Sequence, residues 1–140
     1  MSSLKAFFAQ NISTDIVEEF VVSERFKDEN GNPIPWKIRA LTEAENEEIR
    51  RASTQYVKGK NGQRIPETKP EVYLAKIAAA SVLFPDLKDT ELQRSYGVLG
   101  AEDLLKKMLL AGEYAALIQK VQEINGFDKD LESKIEEVKN

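Results

Sequence analysis

The apolar repeat between residues 114 and 124 constrains the fold of this chain more than any other feature of its sequence. Apolar residues recur there at positions i, i+3, i+4, i+7 and i+10, namely Tyr114, Leu117, Ile118, Val121 and Ile124. This spacing places their side chains on one face of an α-helix, because the helix turns once in about 3.6 residues. Asn125 and Gly126 follow and favour a helix end. The sequence therefore predicts a helix with one buried face.

Three further segments show helical periodicity. A helix over 101–110 is predicted from four apolar residues, Leu104, Leu105, Met108 and Leu109. A helix that ends at Pro85 has a face rich in small residues, formed by Tyr73, Leu74, Ile77, Ala78, Ser81 and Val82. A short helix from about Asp89 to Tyr96 is closed by Gly97, in the position that favours a left-handed cap.

Two segments have the form of a capping box, in which a threonine and a glutamate three residues later satisfy each other's backbone amides. The first joins Thr42 and Glu45 and predicts a helix that continues to about Lys58. The second joins Thr68 and Glu71 and predicts the start of the small-residue helix.

Residues 18–41 predict a small antiparallel β-ribbon. Apolar and polar residues alternate on both sides of residues 28–33, which are dense in turn formers. Pro33 and Pro35 have no amide hydrogen to donate to a strand ladder. The second strand is therefore predicted to begin at Trp36.

These elements predict a mainly α fold: one compact multi-helix domain over residues 1–140, with a small antiparallel β-ribbon near the N-terminus. A chain of 140 residues can bury a core of its own. Three segments are expected to lie outside that core. They are a mobile N-terminal arm at 1–15, a flexible loop at 58–70, and a charged C-terminal helix at 128–140 that frays at its end.

The chain contains no cysteine and no histidine. Cysteine supplies thiolate nucleophiles, and histidine is the side chain best suited to proton transfer near neutral pH and the commonest metal ligand. Histidine-dependent triads and the usual zinc sites are therefore excluded. We expect a binding protein rather than an enzyme, with no cofactor and no metal.

The charge pattern argues against nucleic acid as a partner. The net charge is −4, and bases are interleaved with acids apart from one basic loop, which contains Lys58, Lys60, Arg64 and Lys69. No stretch is long and apolar enough to predict a membrane span, and no signal peptide is predicted. A soluble, intracellular protein is expected.

Several segments, in order, resemble the XkdN-like tail assembly chaperones of phages and prophages. They are 7–11 (FFAQN), 25–28 (RFKD), 35–39 (PWKIR), 92–102 (LQRSYGVLGAE), 104–110 (LLKKMLL), 112–114 (GEY) and 121–127 (VQEINGF). The resemblance covers nearly the whole chain. One departure is Ala111, which stands where the family pattern has a proline.

This resemblance implies a non-catalytic assembly factor. Such a chaperone is expected to bind the phage tape measure protein, keep it soluble and help tail tube protein to polymerise around it, without remaining in the mature virion. A frameshifted longer product and self-association are left open by the sequence. The alternative from another class is a structural tail or connector component that is retained in the virion.

Five aromatic residues are predicted to contact the partner: Phe7, Phe8, Trp36, Tyr96 and Tyr114. Phe7 and Phe8 form a short apolar turn with Leu4, which either folds back onto the core or docks on a partner. The other three are equally compatible with burial in the core of the protein, because periodicity alone does not tell a core face from a binding face.

Overall fold

The secondary structure comes from a computed structural model that describes residues 3–12 and 16–127. Within these residues the helices are α1 (Glu43–Ala52), α2 (Pro70–Ser81), α3 (Thr90–Ser95), α4 (Ala101–Met108) and α5 (Ala111–Ile124). The strands are β1 (Val17–Phe20), β2 (Trp36–Arg39), β3 (Thr54–Lys58), β4 (Arg64–Thr68) and β5 (Val82–Phe84). Two short 3-10 turns, Lys5–Phe7 and Ala9–Asn11, precede them.

The strands form two separate sheets. The first is antiparallel, in the order β1-β2-β5, and the second is the hairpin β3–β4. The predicted ribbon corresponds to β1 and β2, in which Phe20 pairs with Trp36 and Glu18 with Ile38. The second strand begins at Trp36, which confirms the inference drawn from the prolines.

The prediction of a mainly α fold with one β-ribbon is wrong. The described residues are 47% helical and 19% strand, so the chain has a mixed α/β fold with two small sheets. β5 was missed because it has three residues and directly follows α2, so its apolar side chains read as a continuation of the helix. Its partner β2 lies far away in sequence, and no local pattern indicates that pairing.

The core lies where α2, α4 and α5 meet the three-stranded sheet. α2 is central, since it contacts α1, α4, α5 and β5. The side chains that are fully buried at this junction include those of Ile38, Leu104, Leu105 and Leu117. The apolar repeat of α5 thus faces the core as predicted, and Val121 is buried beside Leu117.

Helix α1 begins as predicted and ends earlier than predicted. Thr42 Oγ1 accepts from the Glu45 amide and Glu45 accepts from the Thr42 amide, which completes the capping box. The helix stops at Ala52 instead of Lys58. Ser53 Oγ then donates to the carbonyl of Ile49, and the chain turns into β3.

Residues 58–70 were predicted as a loop, but six of these thirteen residues lie in strands, Lys58 at the end of β3 and 64–68 in β4. Only 59–63 connect the two strands, and Arg64–Thr68 forms β4. Pro66 obscured the strand, since proline usually argues against a strand interior. The predicted capping box at Thr68 is also wrong, because Lys69 is the N-cap of α2 and the Thr68 hydroxyl pairs across the hairpin with that of Thr54.

The junction between α4 and α5 accommodates the departure from the family pattern. Leu109 and Leu110 are extended, and Ala111 is the first residue of α5. Proline favours this first helical position because its fixed φ suits the helix and its missing amide is not needed there. Alanine fits the same position, so the substitution preserves the junction.

Two predicted segments lie partly or wholly outside the described residues. The charged C-terminal helix at 128–140 is one of them, and it stays a prediction. Of the N-terminal arm at 1–15, residues 3–12 are described, and every one of them is exposed. No helix in the described ranges 3–12 and 16–127 is long and apolar enough to cross a membrane.

An ion pair ties the loop after β1 to the start of α5. Arg25 donates to both carboxylate oxygens of Glu113, at 2.6 and 3.2 Å, and to the carbonyl of Met108 at 2.8 Å. The hydrogen bond from Arg25, followed by those from Ser23 and the Leu110 amide, lowers the pKa of Glu113 to about 2. Glu113 therefore remains charged and holds the two segments together over a wide pH range.

This lowered pKa predicts how stability depends on pH. Because the folded pKa of Glu113 lies below its ordinary value of 4.5, its stabilising contribution is complete above that value and is lost as pH falls through about 2. We expect Glu113→Gln to flatten the decline of the unfolding free energy between these pH values, measured by urea denaturation. Arg25→Ala should flatten it as well. A slope equal to that of the wild type in both variants would contradict this assignment.

Candidate partner-binding groove

An open groove lies beside α2, on the side where β5 and the start of α4 meet α1. Its volume is about 570 Å³. Small and aliphatic side chains form the apolar part of its lining, called the floor below, namely Ile49, Ala52, Ala79, Ala80, Val82, Leu83, Leu87 and Ala101. Leu83 is 46% exposed, and it is the largest apolar side chain of the floor that is exposed to solvent. Alanines on α2 let another helix approach the backbone closely.

Charged side chains of both signs form the rest of the lining, called the margin below. They are Arg39, Glu48, Lys76, Asp86, Lys88 and Glu102. Lys76 Nζ lies 3.0 Å from Glu102 Oε1, and Arg39 Nη2 lies 2.7 Å from Glu45 Oε2. The groove is therefore lined by both apolar and charged side chains.

Two carboxylates in or near the groove, those of Glu102 and Glu45, have lowered pKa values. Burial alone would raise the pKa of Glu102, but hydrogen bonds from Lys76 and the backbone, with the charges of nearby lysines, leave it below the ordinary value. The hydrogen bond from Arg39, followed by that from the Thr42 amide, lowers the pKa of Glu45 to about 2. A general acid needs the opposite shift, so neither carboxylate is suited to donate a proton near neutral pH.

The part of the chain that the structure describes contains no cluster of acidic side chains able to hold a metal ion. Glu45 and Glu113 each pair with an arginine and accept a hydrogen bond from a helix N-cap amide.

The predicted contact residues fall into two groups. Phe7 and Phe8 are exposed, at 77% and 40%, within the N-terminal segment. Leu4 and Ile12 are exposed beside them, so the segment presents a row of apolar side chains to solvent. This placement leaves Phe7 and Phe8 available to a partner, and their contact role stays a prediction.

The other three predicted contact residues pack against or within the core. Trp36 is 2% exposed, and its ring lies 6.3 Å from that of Phe26. Tyr96 and Tyr114 are partly buried against the same core. Burial also raises the pKa of the Tyr114 hydroxyl. The structure therefore does not bring the five residues together on one surface.

The groove itself was missed in the sequence. Leu83 belongs to β5, which has no recognisable strand pattern, and Ala79 and Ala80 look like ordinary helix formers. The small-residue face of α2 was the available signal. It predicted close packing by a helix but did not show that part of α2 stays uncovered.

Comparison with known proteins identifies the family. The model of the phage XkdN-like tail assembly chaperone proteins matches residues 4–139. The phage-like element PBSX protein XkdN of Bacillus subtilis (strain 168) is 33% identical over 120 residues, covering 85% of this chain and 81% of that protein. The protein YqbN of the same strain is 35% identical over 132 residues, covering 94% of this chain and 88% of that protein.

The fold gives the same result. A crystal structure of YqbN superposes on this chain with a TM-score of 0.76 and 26% identity, covering 90% of this chain and 98% of that one. The sequence match and the superposition each span most of the molecule. The chain belongs to the XkdN-like family of phage tail assembly chaperones.

Proposed function

We propose that this chaperone binds the phage tape measure protein, keeps it soluble and assists polymerisation of the tail tube around it. It would act by binding alone, in the cytoplasm of the bacterial host, and leave before the virion is complete. The observation that carries the proposal is the open apolar groove of a member of the tail assembly chaperone family. Long helical proteins need their apolar faces covered until their assembly partners arrive.

The shape of the groove supports an α-helix as the bound element. An amphipathic helix presents its apolar residues as a stripe, and such stripes bind in grooves with apolar floors. Ala79 and Ala80 on the floor leave room for larger side chains of the partner, and Leu83 offers an apolar contact. Bases and acids at the margin can pair with charges that flank the stripe.

The exposed N-terminal segment supplies a second apolar surface. Phe7 and Phe8 lie on it, and Leu4 is 66% exposed beside them. We propose that this segment adds contacts to a helix already held in the groove. Two contacts of moderate affinity suit a chaperone, because tube subunits can displace them one at a time.

Co-expression with the neighbouring tape measure gene tests the proposal. We expect the tape measure protein to be soluble and to co-purify with the tagged chaperone, and to precipitate when it is expressed alone. The proposal is wrong if the tape measure protein stays insoluble and unbound in the presence of the chaperone.

Mass spectrometry of purified virions distinguishes the assembly factor from a structural tail or connector component. An assembly factor should be absent from finished particles and present in lysates of infected or induced cells. Recovery of this chain in stoichiometric amounts with the tail would favour the structural component instead.

A further inference from the structure

The hairpin β3–β4 extends from the body of the protein with both of its faces in water. All residues of β4 and every residue of β3 except Thr54 are exposed. A two-stranded hairpin without a covered face is only marginally stable. The apolar side chains Tyr56, Val57 and Ile65 are 62%, 38% and 44% exposed. Packing against the core of this chain therefore does not account for these three apolar side chains.

One edge of the hairpin is open to another strand. The Gly59 amide donates to the Gln63 carbonyl, so these two residues form a hydrogen-bonded pair. Hydrogen-bonded and non-hydrogen-bonded pairs alternate along an antiparallel ladder, which makes Lys58–Arg64 and Tyr56–Pro66 non-hydrogen-bonded pairs. Tyr56 and Lys58 therefore direct their backbone N–H and C=O groups away from β4. On the opposite edge the corresponding position is Pro66, which has no N–H to donate. The β3 edge is the one suited to a further strand.

Basic side chains surround this open edge. A depression of about 250 Å³ separates β3 from the end of α1. It is lined by Glu47, Arg50, Arg51, Thr54 and Tyr56. Within the hairpin, Lys58 lies opposite Arg64, whose guanidinium stacks 5.2 Å from the centre of the Tyr56 ring. The surface is thus basic and aromatic on a chain whose net charge is −4.

The arginines are available to a partner. Arg51 lies 3.4 Å from Glu47 and Arg50 lies 3.8 Å from Glu43, and both arginine side chains are at least half exposed. Exposed ion pairs of this length contribute little to stability. An incoming carboxylate can replace them at low cost.

We propose that the β3 edge binds an extended acidic segment of a partner protein, which adds to the hairpin as a third strand. Main-chain hydrogen bonds to Tyr56 and Lys58 would fix its position, and Arg50, Arg51 and Lys58 would pair with its carboxylates. Alternate apolar side chains of the segment would lie beside Val57, which is on the same face of the hairpin as Ile65. This surface lies on the opposite face of α1 from the groove, so the inference goes beyond the proposed function.

Two other occupants fit these observations less well. A second copy of this chain, paired through the same edge, would bring its own basic side chains against Arg50, Arg51 and Lys58, and like charges repel. Nucleic acid would use the basic charge but would leave the backbone groups of the edge unpaired and Val57 and Ile65 uncovered.

A synthetic peptide of alternating glutamate and valine, capped at both ends and slightly longer than β3, tests the inference. We expect it to bind the whole chain in an NMR titration and to slow hydrogen exchange at the Tyr56 and Lys58 amides. Reversing both charges in Arg50→Glu/Arg51→Glu should weaken binding by at least about tenfold. The matched control is Lys106→Glu/Lys107→Glu, also in the last turn of a helix, which should bind like the wild type.

Three results would overturn the inference. One is equal loss of binding in both charge-reversed variants. Another is binding of the peptide without slower exchange at Tyr56 and Lys58. The third is binding of an oligothymidylate, or of a peptide with lysine in place of glutamate, where the acidic peptide does not bind. The tape measure protein is absent from this experiment, so its outcome is independent of the groove.

Discussion

Replacing Leu83 with aspartate should abolish the ability of the chaperone to keep a co-expressed tape measure protein soluble. Leu83 lies at the floor of the groove and is 46% exposed. A helix that docked there would have to remove water from the new carboxylate, and burying an ionised group costs more than burying a neutral polar group without a partner, which costs about 1–3 kcal/mol. We expect the Kd for the tape measure protein to rise about ten- to a hundredfold. Pull-down from co-expressing cells and titration of purified proteins measure the effect.

The fold should tolerate this change, because a half-exposed leucine contributes only about 1 kcal/mol of burial. Leu110→Asp is the matched control. It makes the same chemical change at a side chain that is 60% exposed and does not line the groove. Aspartate also suits its position, since Leu110 is the N-cap of α5. This variant should solubilise the partner as the wild type does.

A second groove variant tests whether filling the groove prevents binding when no charge is introduced. Ala80→Trp fills the groove without introducing a charge and should weaken binding in the same assay. If both groove variants fail to bind and solubilise the tape measure protein while Leu110→Asp still does, the partner binds in the groove. Wild-type activity in both groove variants would mean that the tape measure protein binds elsewhere.

The features that could be predicted from the sequence are those set by neighbouring residues. Thr42 and Glu45 lie three residues apart and form their capping box without help from the rest of the fold. Gly97 has a φ of 70°, as the left-handed cap after α3 requires. Trp36 begins a strand because prolines precede it. Each of these patterns has a local physical cause.

The features that were missed depend on distant parts of the chain. Residues 54–58 could continue α1 or form a strand, and pairing with β4 decides between them. Val82 and Leu83 could extend α2, and pairing with β2 places them in a sheet instead. Such pairings depend on tertiary packing, which overrides local propensity.

The binding surface was hard to predict for a related reason. Trp36 and Leu83 are both apolar residues in short strands, yet Trp36 is in the core and Leu83 is half exposed in the groove. Alternation shows which side chains share a face of a strand. It does not show whether the face is covered by the same chain or left open for another. The order of elements around α2 decides that.

Replacing Trp36 with alanine should destabilise the protein more than any change at the exposed aromatic residues. The side chain is 2% exposed and packs against Phe26 in the core. Truncation of a buried tryptophan leaves a cavity and costs about 3–5 kcal/mol, a large part of the stability of a small domain. Denaturation followed by far-UV circular dichroism measures it, since Trp36 is the single tryptophan and its fluorescence would be lost.

Phe7→Ala is the control variant for this prediction. Phe7 is 77% exposed, so its removal should change the unfolding free energy by less than about 0.5 kcal/mol. If Phe7 contacts the tape measure protein, this variant should bind it more weakly at unchanged stability, whereas Trp36→Ala should lose binding only to the extent that it unfolds. A stable Trp36→Ala protein that no longer bound the partner would instead assign Trp36 a direct contact.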